Sequence, residues 1–173
     1  MVKYKTEIAI SLDKIIVALN NNNIMIAAAE SCTGGWIAKL LTDRAGSTAW
    51  FERGFVTYSN LSKAEMLGVS KETLSQHGAV SEVCVREMAE GALQRGGATL
   101  SLAVSGIAGP GGGSEEKPVG LVWFGWSMLS GGEVITTAAQ HIFSGDRGEV
   151  RAQSVIVALD GACGRITSSK NGR

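Results

Sequence analysis

The chain is poor in the residues that build disulfides and metal sites, with three cysteines and two histidines in 173 residues. Cys32, Cys84 and Cys163 lie far apart, are odd in number and include no C-x-x-C pair, which argues against a disulfide framework or a zinc site. Neither His77 nor His141 has a metal-ligating partner three or four residues away. We therefore expect no metal.

The chain also lacks an excess of charge of either sign, because 16 basic residues balance 16 acidic ones. This balance does not direct the protein toward nucleic acid or an anionic membrane. No apolar run approaches the roughly 20 residues of a membrane-spanning helix. Charges interrupt the N-terminal segment MVKYKTEIAISLDK, which lacks the apolar core of a secretory signal. We therefore expect a cytoplasmic protein without a nucleic-acid or membrane partner.

The remaining composition is that of one globular domain, with 45% hydrophobic residues in a chain long enough for a substantial core. Apolar spacing and turn residues predict helices at 6–20, 33–41, 62–67, 70–77, 81–95 and 147–160. They predict strands at 24–29, 55–58, 98–105, 119–128 and 133–142, the last two joined as an antiparallel hairpin by Gly131-Gly132. The polar segment 164–173 is predicted to be a flexible tail, which leaves 1–163 as a single α/β domain with helices on both faces of a mixed sheet.

Two glycine-rich turns each follow an apolar run, AESCTGG at 29–35 and SGIAGPGGGSEEKPVG at 105–120. Turns of this kind present backbone N–H groups to an anionic or polar ligand, especially where a helix begins next. Ser31 and Ser105 lie where the two strands end, so the pair predicts a binding cleft at one edge of the sheet. The second turn lacks the lysine and serine spacing of a P-loop.

Ser31 is a candidate nucleophile, and such a serine needs a neighbouring base to take its proton. Lys63 is a candidate base because it follows a strand and a compact polar turn, and burial can lower the pKa of a lysine toward neutrality. Tyr58, in the same turn, could orient the pair. On spacing alone, an ordinary N-cap serine and an exposed lysine at a helix start are the better explanation of the two residues. The neighbouring Cys32 is the alternative nucleophile.

Two other polar features have ordinary explanations. Glu115 and Glu116 are adjacent in a loop beside Lys117, which is typical of a solvated loop rather than of a pair of catalytic carboxylates. Arg147, which follows Ser144-Gly145-Asp146 near a helix start, could bind a phosphate or form a surface salt bridge.

Taken together, five sequence blocks resemble a known family, the C-terminal domain of the competence-damage-inducible CinA proteins, which also occurs as stand-alone nicotinamide-nucleotide amidohydrolases. The resemblance runs from about residue 7 to about residue 160. The blocks are AESCTGG, GFVTYSN with Lys63 close behind, QHGAVSE at 76–82, SGIAGPGGGSEEKPVG and FSGDR at 143–147. The resemblance implies a three-layer α/β/α sandwich with a mixed sheet, which agrees with the predicted elements.

The resemblance implies that the protein hydrolyses nicotinamide mononucleotide to nicotinic acid mononucleotide and ammonia, within pyridine-nucleotide salvage. Ser31 would be the nucleophile, Lys63 the general base and Tyr58 their support, without a metal or organic cofactor. The family assembles as homo-oligomers, and we expect a dimer first. Backbone N–H groups around Thr33, Gly34 and Gly35 would then stabilise the oxyanion. Ser105, Gly106, Gly109 and Gly111 would contact ribose and phosphate, with Arg147 as counter-charge.

Two alternatives stay open. The chain could be a non-catalytic or substrate-shifted nucleotide-binding paralogue that keeps the cleft, or a structural partner in a larger complex. The first is distinguished by binding that survives when Ser31 is removed. The second predicts an exposed apolar surface beyond any self-association interface.

Overall fold

The computed structural model describes residues 3–171, the last three of them by their backbone only. In this part of the chain, five strands form one sheet in the order β2-β1-β3-β4-β5. The strands are β1 (Ile26–Glu30), β2 (Phe51–Val56), β3 (Leu100–Gly106), β4 (Leu121–Ser130) and β5 (Glu133–Ile142). β2, β1 and β3 are parallel to one another, whereas β4 and β5 are antiparallel to their neighbours. The predicted mixed sheet and its terminal hairpin are confirmed.

Within residues 3–171, six α-helices surround the sheet. They are α1 (Lys5–Asn22), α2 (Trp36–Thr42), α3 (Asn60–Ser62), α4 (Lys71–Gln76), α5 (Glu82–Gly96) and α6 (Arg147–Asn171). A 3₁₀ turn at Ser47–Ala49 precedes β2, and a π-helical turn at Lys63–Leu67 follows α3 directly. None of the helices within residues 3–171 combines the length and apolar character that a membrane crossing requires.

The sheet separates two apolar clusters because side chains alternate between its faces along each strand. In β1, Ile26 and Ala28 face the cluster formed with α1, α2 and α6. Ala27 and Ala29 face the second cluster, formed with α5 and the Lys63–Leu67 turn. All five residues of β1 are buried, as expected of a parallel strand covered on both faces. The predicted α/β/α layering is confirmed.

Two element boundaries differ from the sequence prediction by more than three residues. β2 begins at Phe51, four residues earlier than predicted, because its first residues Glu52, Arg53 and Gly54 lie on an exposed edge and carry no apolar alternation. The final helix extends to Asn171, through most of the segment predicted as a tail. The extension has a packing reason, since Ile166 is buried and Arg165 lies over the Trp126 ring at 3.8 Å. Residues 172–173 of the predicted tail lie outside the described residues.

Candidate active site

The first strand ends at the site, and the alternation of side chains directs two neighbouring polar residues to opposite faces. Glu30 continues the face of Ile26 and Ala28 toward α2, whereas Ser31 turns toward the Lys63 side. The Ser31 N–H donates to the Val104 carbonyl at 3.0 Å, so the pairing with β3 extends one residue beyond the strand. This register places Ser31 beside Ser105, as the two strand ends predicted.

Lys63 reaches Ser31 from the π-helical turn. Its Nζ lies 3.0 Å from Ser31 Oγ and donates to the Thr57 carbonyl at 2.8 Å. The side chain is fully buried, so the interpretation as an exposed lysine is wrong. Burial lowers the pKa of Lys63 from the ordinary value of 10.5, because desolvation disfavours the ammonium form. A neutral amine within hydrogen-bond distance of a serine hydroxyl can accept its proton.

The turn that carries Lys63 is fixed by a cap and by close packing. Ser59 and Ser62 form a reciprocal capping box at the start of α3. Behind the turn, a Cβ built on Gly91 of α5 would lie 1.9 Å from the Leu67 carbonyl oxygen. Only glycine permits this approach of α5 to the turn. A wide π-helical turn is an uncommon local structure that is often found at functional sites.

The thiols near Ser31 and Lys63, the pair called the dyad below, are protonated at neutral pH. Burial raises the pKa of both Cys32 and Cys84 to about 11. Because the thiolate is the reactive form of cysteine, the buried thiol of Cys32 is a poor nucleophile here. This environment favours Ser31 over the alternative nucleophile.

Glu30 organises the turn that follows Ser31, and sequence reasoning missed it. Its fully buried carboxylate accepts hydrogen bonds from the N–H groups of Gly35, Ile37 and Ala38 at 2.8–3.1 Å. The acid therefore occupies the first turn of α2, where the helix dipole favours a negative charge. An acidic residue shortly before a predicted helix start was the available signal. The N-cap of α2 is Gly35, so the interpretation of Ser31 as an N-cap is also wrong.

The hydrogen bonds of this turn restrict where an oxyanion can be bound. The Gly34 N–H donates to the Ser31 carbonyl at 3.1 Å, and the Gly35 N–H donates to Glu30. The expectation that both glycine N–H groups would face an oxyanion is therefore wrong, because their acceptors lie within the turn. The Thr33 N–H has no acceptor within the range 3–171.

Tyr58 and Arg147 connect at the mouth of the site. Arg147, the first residue of α6, donates through Nη1 to the Gly109 carbonyl at 2.9 Å and through Nη2 to the Tyr58 hydroxyl at 3.2 Å. Tyr58 is 64% exposed, and its hydroxyl bonds to Arg147 rather than to Ser31 or Lys63. Arg147 thus joins the Tyr58 turn to the second glycine-rich loop, and it forms no salt bridge in the part of the chain that the structure describes.

A cavity of about 230 Å³ opens onto the dyad. Its lining is Ser31, Cys32, Tyr58, Lys63, Ala79, Val80, Ser105, Gly106, Ala108 and Arg147. Six residues predicted for the site are among them, namely Ser31, Tyr58, Lys63, Ser105, Gly106 and Arg147. The volume is below the roughly 300–1,000 Å³ of typical ligand pockets, so it fits a ring or an amide group rather than a whole nucleotide.

The other predicted residues lie outside this lining. Thr33, Gly34 and Gly35 form the turn behind Ser31, and Gly109 reaches the cavity only through its bond to Arg147. Gly111 is exposed, with open space around the position of a Cβ. Ser105 lines the cavity, but its hydroxyl donates to the Ala79 carbonyl at 2.7 Å. Sequence reasoning also missed Arg151, one helical turn beyond Arg147, which binds the Cys32 and Thr33 carbonyls.

No group of three His, Cys, Asp or Glu side chains in residues 3–171 is arranged to hold a metal ion. Two buried hydroxyls beside the dyad, Thr33 Oγ1 and Thr57 Oγ1, have no hydrogen-bond partner among the described residues. Buried polar atoms without partners are uncommon in folded proteins and are often satisfied by water or a ligand.

Comparison with known proteins gives consistent results. The family model of the CinA C-terminal domain matches residues 9–164. The nicotinamide-nucleotide amidohydrolase PncC of Escherichia coli K12 is 59% identical over 142 residues, which cover 82% of this chain and 84% of that protein. The PncC of Enterobacter agglomerans is 56% identical over 149 residues, or 86% of this chain and 89% of that protein. The crystal structure of the competence/damage inducible protein CihA from Agrobacterium tumefaciens superposes with a TM-score of 0.84 at 43% identity, covering 95% of this chain and 96% of that one.

Proposed function

This chain belongs to the CinA C-terminal domain family, and on that premise we propose that it is a nicotinamide-nucleotide amidohydrolase. The proposed reaction converts nicotinamide mononucleotide to nicotinic acid mononucleotide and ammonia. The observation that carries the proposal is the 3.0 Å contact between Lys63 Nζ and Ser31 Oγ, two residues that line the same cavity. Amidohydrolases with more than 50% identity over most of the chain support the substrate class.

In the first half of the reaction, Ser31 Oγ attacks the carboxamide carbon while Lys63 Nζ accepts the hydroxyl proton. The carbonyl π electrons move to oxygen and give a tetrahedral oxyanion. The intermediate collapses when Lys63 returns its proton to the amide nitrogen, so that the C–N bond breaks and ammonia leaves. The product is an ester between Ser31 and the nicotinoyl group. The buried Thr57 carbonyl holds Lys63 Nζ in place during both transfers.

In the second half, a water molecule attacks the ester carbon and Lys63 takes the proton of that water. The second tetrahedral intermediate expels Ser31 Oγ, which recovers its proton from Lys63. The acid product then leaves, and the dyad returns to its starting state. The side chains supply both nucleophile and base, so the proposal requires no metal or organic cofactor.

The ribose and phosphate of the substrate would extend from the cavity past Tyr58 and Arg147. Tyr58 would support the dyad indirectly, by holding Arg147 at the cavity mouth. The guanidinium of Arg147, which has no carboxylate partner among the described residues, is suited to a phosphate. Gly106, with the loop that contains Gly109 and Gly111, would border the same region.

We also propose that the protein works in the cytoplasm as a homo-oligomer, with a dimer as the first expectation. Ile10 and Val17 of α1 are about half exposed and line an apolar groove beside α6, which supports self-association. Light scattering coupled to size-exclusion chromatography measures the mass directly. A single species of 18.0 kDa would contradict the oligomer.

The experiment that tests the function is ammonia release from nicotinamide mononucleotide by the purified protein and by Ser31→Ala. Release by the parent but not by Ser31→Ala supports both the reaction and the nucleophile. Ser75→Ala is a matched control, because Ser75 is an exposed serine on α4 outside the cavity. A folded parent that binds the nucleotide without releasing ammonia would contradict the proposal in favour of the nucleotide-binding alternative.

A further inference from the structure

Arg151 holds the turn that follows Ser31. Its Nε donates to the Cys32 carbonyl at 3.0 Å, and its Nη2 donates to the Thr33 carbonyl at 2.7 Å. The guanidinium lies over the Trp36 ring at 5.5 Å, which limits its rotation. No carboxylate forms a salt bridge with Arg151 anywhere in the described ranges. Its charge is therefore directed at two backbone carbonyls of the turn 31–34, which we call the nucleophile turn.

These bonds act on the peptide group that contains the Thr33 N–H. The Cys32 carbonyl and the Thr33 N–H belong to the same peptide, so a cationic donor on the carbonyl polarises the N–H and strengthens it as a donor. The turn is closed by the bond from the Gly34 N–H to the Ser31 carbonyl. A serine at the first position of such a turn can bring its hydroxyl oxygen close to the N–H of the third residue. That residue is Thr33, whose N–H is free within residues 3–171.

We infer that Arg151 is a positioning residue for amide hydrolysis, which fixes and polarises the Cys32–Thr33 peptide so that the Thr33 N–H receives the oxyanion formed at Ser31. The inference rests on the proposed role of Ser31. Arg151 does not line the cavity, so it stabilises the transition state through the turn rather than by binding substrate. Its removal therefore lowers kcat and leaves KM nearly unchanged.

Arg165 offers a matched control on the same helix. It lies over the Trp126 ring and donates to the Gly161 carbonyl, so it has the same kinds of contact as Arg151. Fourteen residues separate the two arginines, or about 21 Å along the helix. Its other partner is the Thr137 hydroxyl on β5, away from Ser31. Loss of either side chain removes comparable packing, but only Arg151 contacts the nucleophile turn.

The test compares Arg151→Met, Arg151→Lys and Arg165→Met in steady-state kinetics with nicotinamide mononucleotide. We expect Arg151→Met to lower kcat by about 10²- to 10³-fold, the usual effect of losing one oxyanion donor, with KM within about threefold of the parent. Arg151→Lys should recover part of the loss, because an ammonium can serve one of the two carbonyls. Arg165→Met should keep kcat within about threefold while its melting temperature falls as much as that of Arg151→Met.

Labelling of Ser31 by a fluorophosphonate separates this inference from the substrate assignment. In that reaction Lys63 takes the hydroxyl proton of Ser31, Ser31 Oγ bonds to phosphorus, and the P–F bond breaks with loss of fluoride. The phosphoryl oxygen gains negative charge as Ser31 attacks and requires the same donor. If the parent labels at Ser31 but releases no ammonia, the proposed substrate is wrong and the labelling rates alone decide the role of Arg151. A slower rate in Arg151→Met than in Arg165→Met supports that role. Equal rates, or a raised KM with parental kcat, would overturn it, and Arg151→Lys serves if Arg151→Met does not fold.

Discussion

The first glycine-rich turn is buried as far as Thr33 and braced by side chains, whereas the second is exposed from Pro110 to Glu116. Glu30 and Arg151 bind the first turn from opposite sides, one through N–H groups and the other through carbonyls. The second turn leads into β4 rather than into a helix. A similar glycine content therefore serves two purposes, a braced support for Ser31 and an open loop beside the cavity.

The comparison shows that a glycine-rich turn is not in itself an anion site. At the first turn, three N–H groups at the start of α2 already donate to the Glu30 carboxylate and are therefore not available to a ligand. At the second turn no helix begins, so no helix dipole adds to the loop. What distinguishes the turns is the set of side chains that reach them from elsewhere in the chain.

The largest difference in kcat between the two turns is expected when the lysine associated with each turn is replaced. Lys63→Met should lower kcat by at least about 10³-fold, because it removes the proposed base beside Ser31. Lys117→Met, in the second turn, should keep kcat within about threefold, since the Lys117 side chain bonds to the His77 carbonyl and does not line the cavity. Steady-state ammonia release measures both. A Lys63→Met enzyme within tenfold of the parent would assign the base elsewhere.

The buried lysine also predicts a pH dependence. Burial lowers the pKa of Lys63 below 10.5. Above that lowered pKa, most of the lysine is the neutral amine that can accept a proton. The value of kcat/KM should fall tenfold per unit as pH drops below this pKa and level off above it. A pH–rate profile of the parent checks the direction. Activity that rises toward acid pH would contradict a neutral Lys63 as base.

Replacing one carboxylate in each turn compares how much the two turns contribute to the free energy of unfolding. The carboxylate of Glu30 is a buried acceptor of three N–H groups, and in Glu30→Gln the new NH2 group would face at least one of those donors. This substitution should lower the free energy of unfolding by about 2 kcal/mol. Glu115→Gln, at an exposed position of the second turn, should change it by less than about 0.5 kcal/mol. Urea unfolding measures the two values. Equal stabilities would show that Glu30 does not hold the turn.

The smallest effect on the free energy of unfolding is expected when one glycine of each turn is replaced by alanine. Gly35 has φ +89°, a left-handed conformation that costs an alanine about 1–2 kcal/mol. A Cβ at Gly111 meets no atom within 4 Å, and its φ is not positive, so Gly111→Ala should be nearly neutral. Urea unfolding of Gly35→Ala and Gly111→Ala compares them. A destabilised Gly111→Ala would mean that the second turn is more constrained than its exposure indicates.

Much of the fold follows from local pattern. The helix over α1, the buried alanine strand of β1 and the Gly131-Gly132 hairpin each have a periodicity or turn signal within one short segment. The family resemblance is confirmed by the match over residues 9–164. The ends of elements were harder to predict. For example, α6 continues through the polar residues after Cys163 because Ile166 is buried in the tertiary structure.

The sequence by itself determined the strand ends that hold Ser31 and Ser105, the short polar turn before Lys63, and the family that these blocks identify. Only the tertiary structure decided that Lys63 is buried against Ser31, that Glu30 takes the N–H groups of α2, and that Arg151 reaches the nucleophile turn from 118–119 residues away. The physical reason is that strands and turns arise from interactions between near neighbours. Burial, pKa and hydrogen-bond partners depend on which distant segments the sheet brings together.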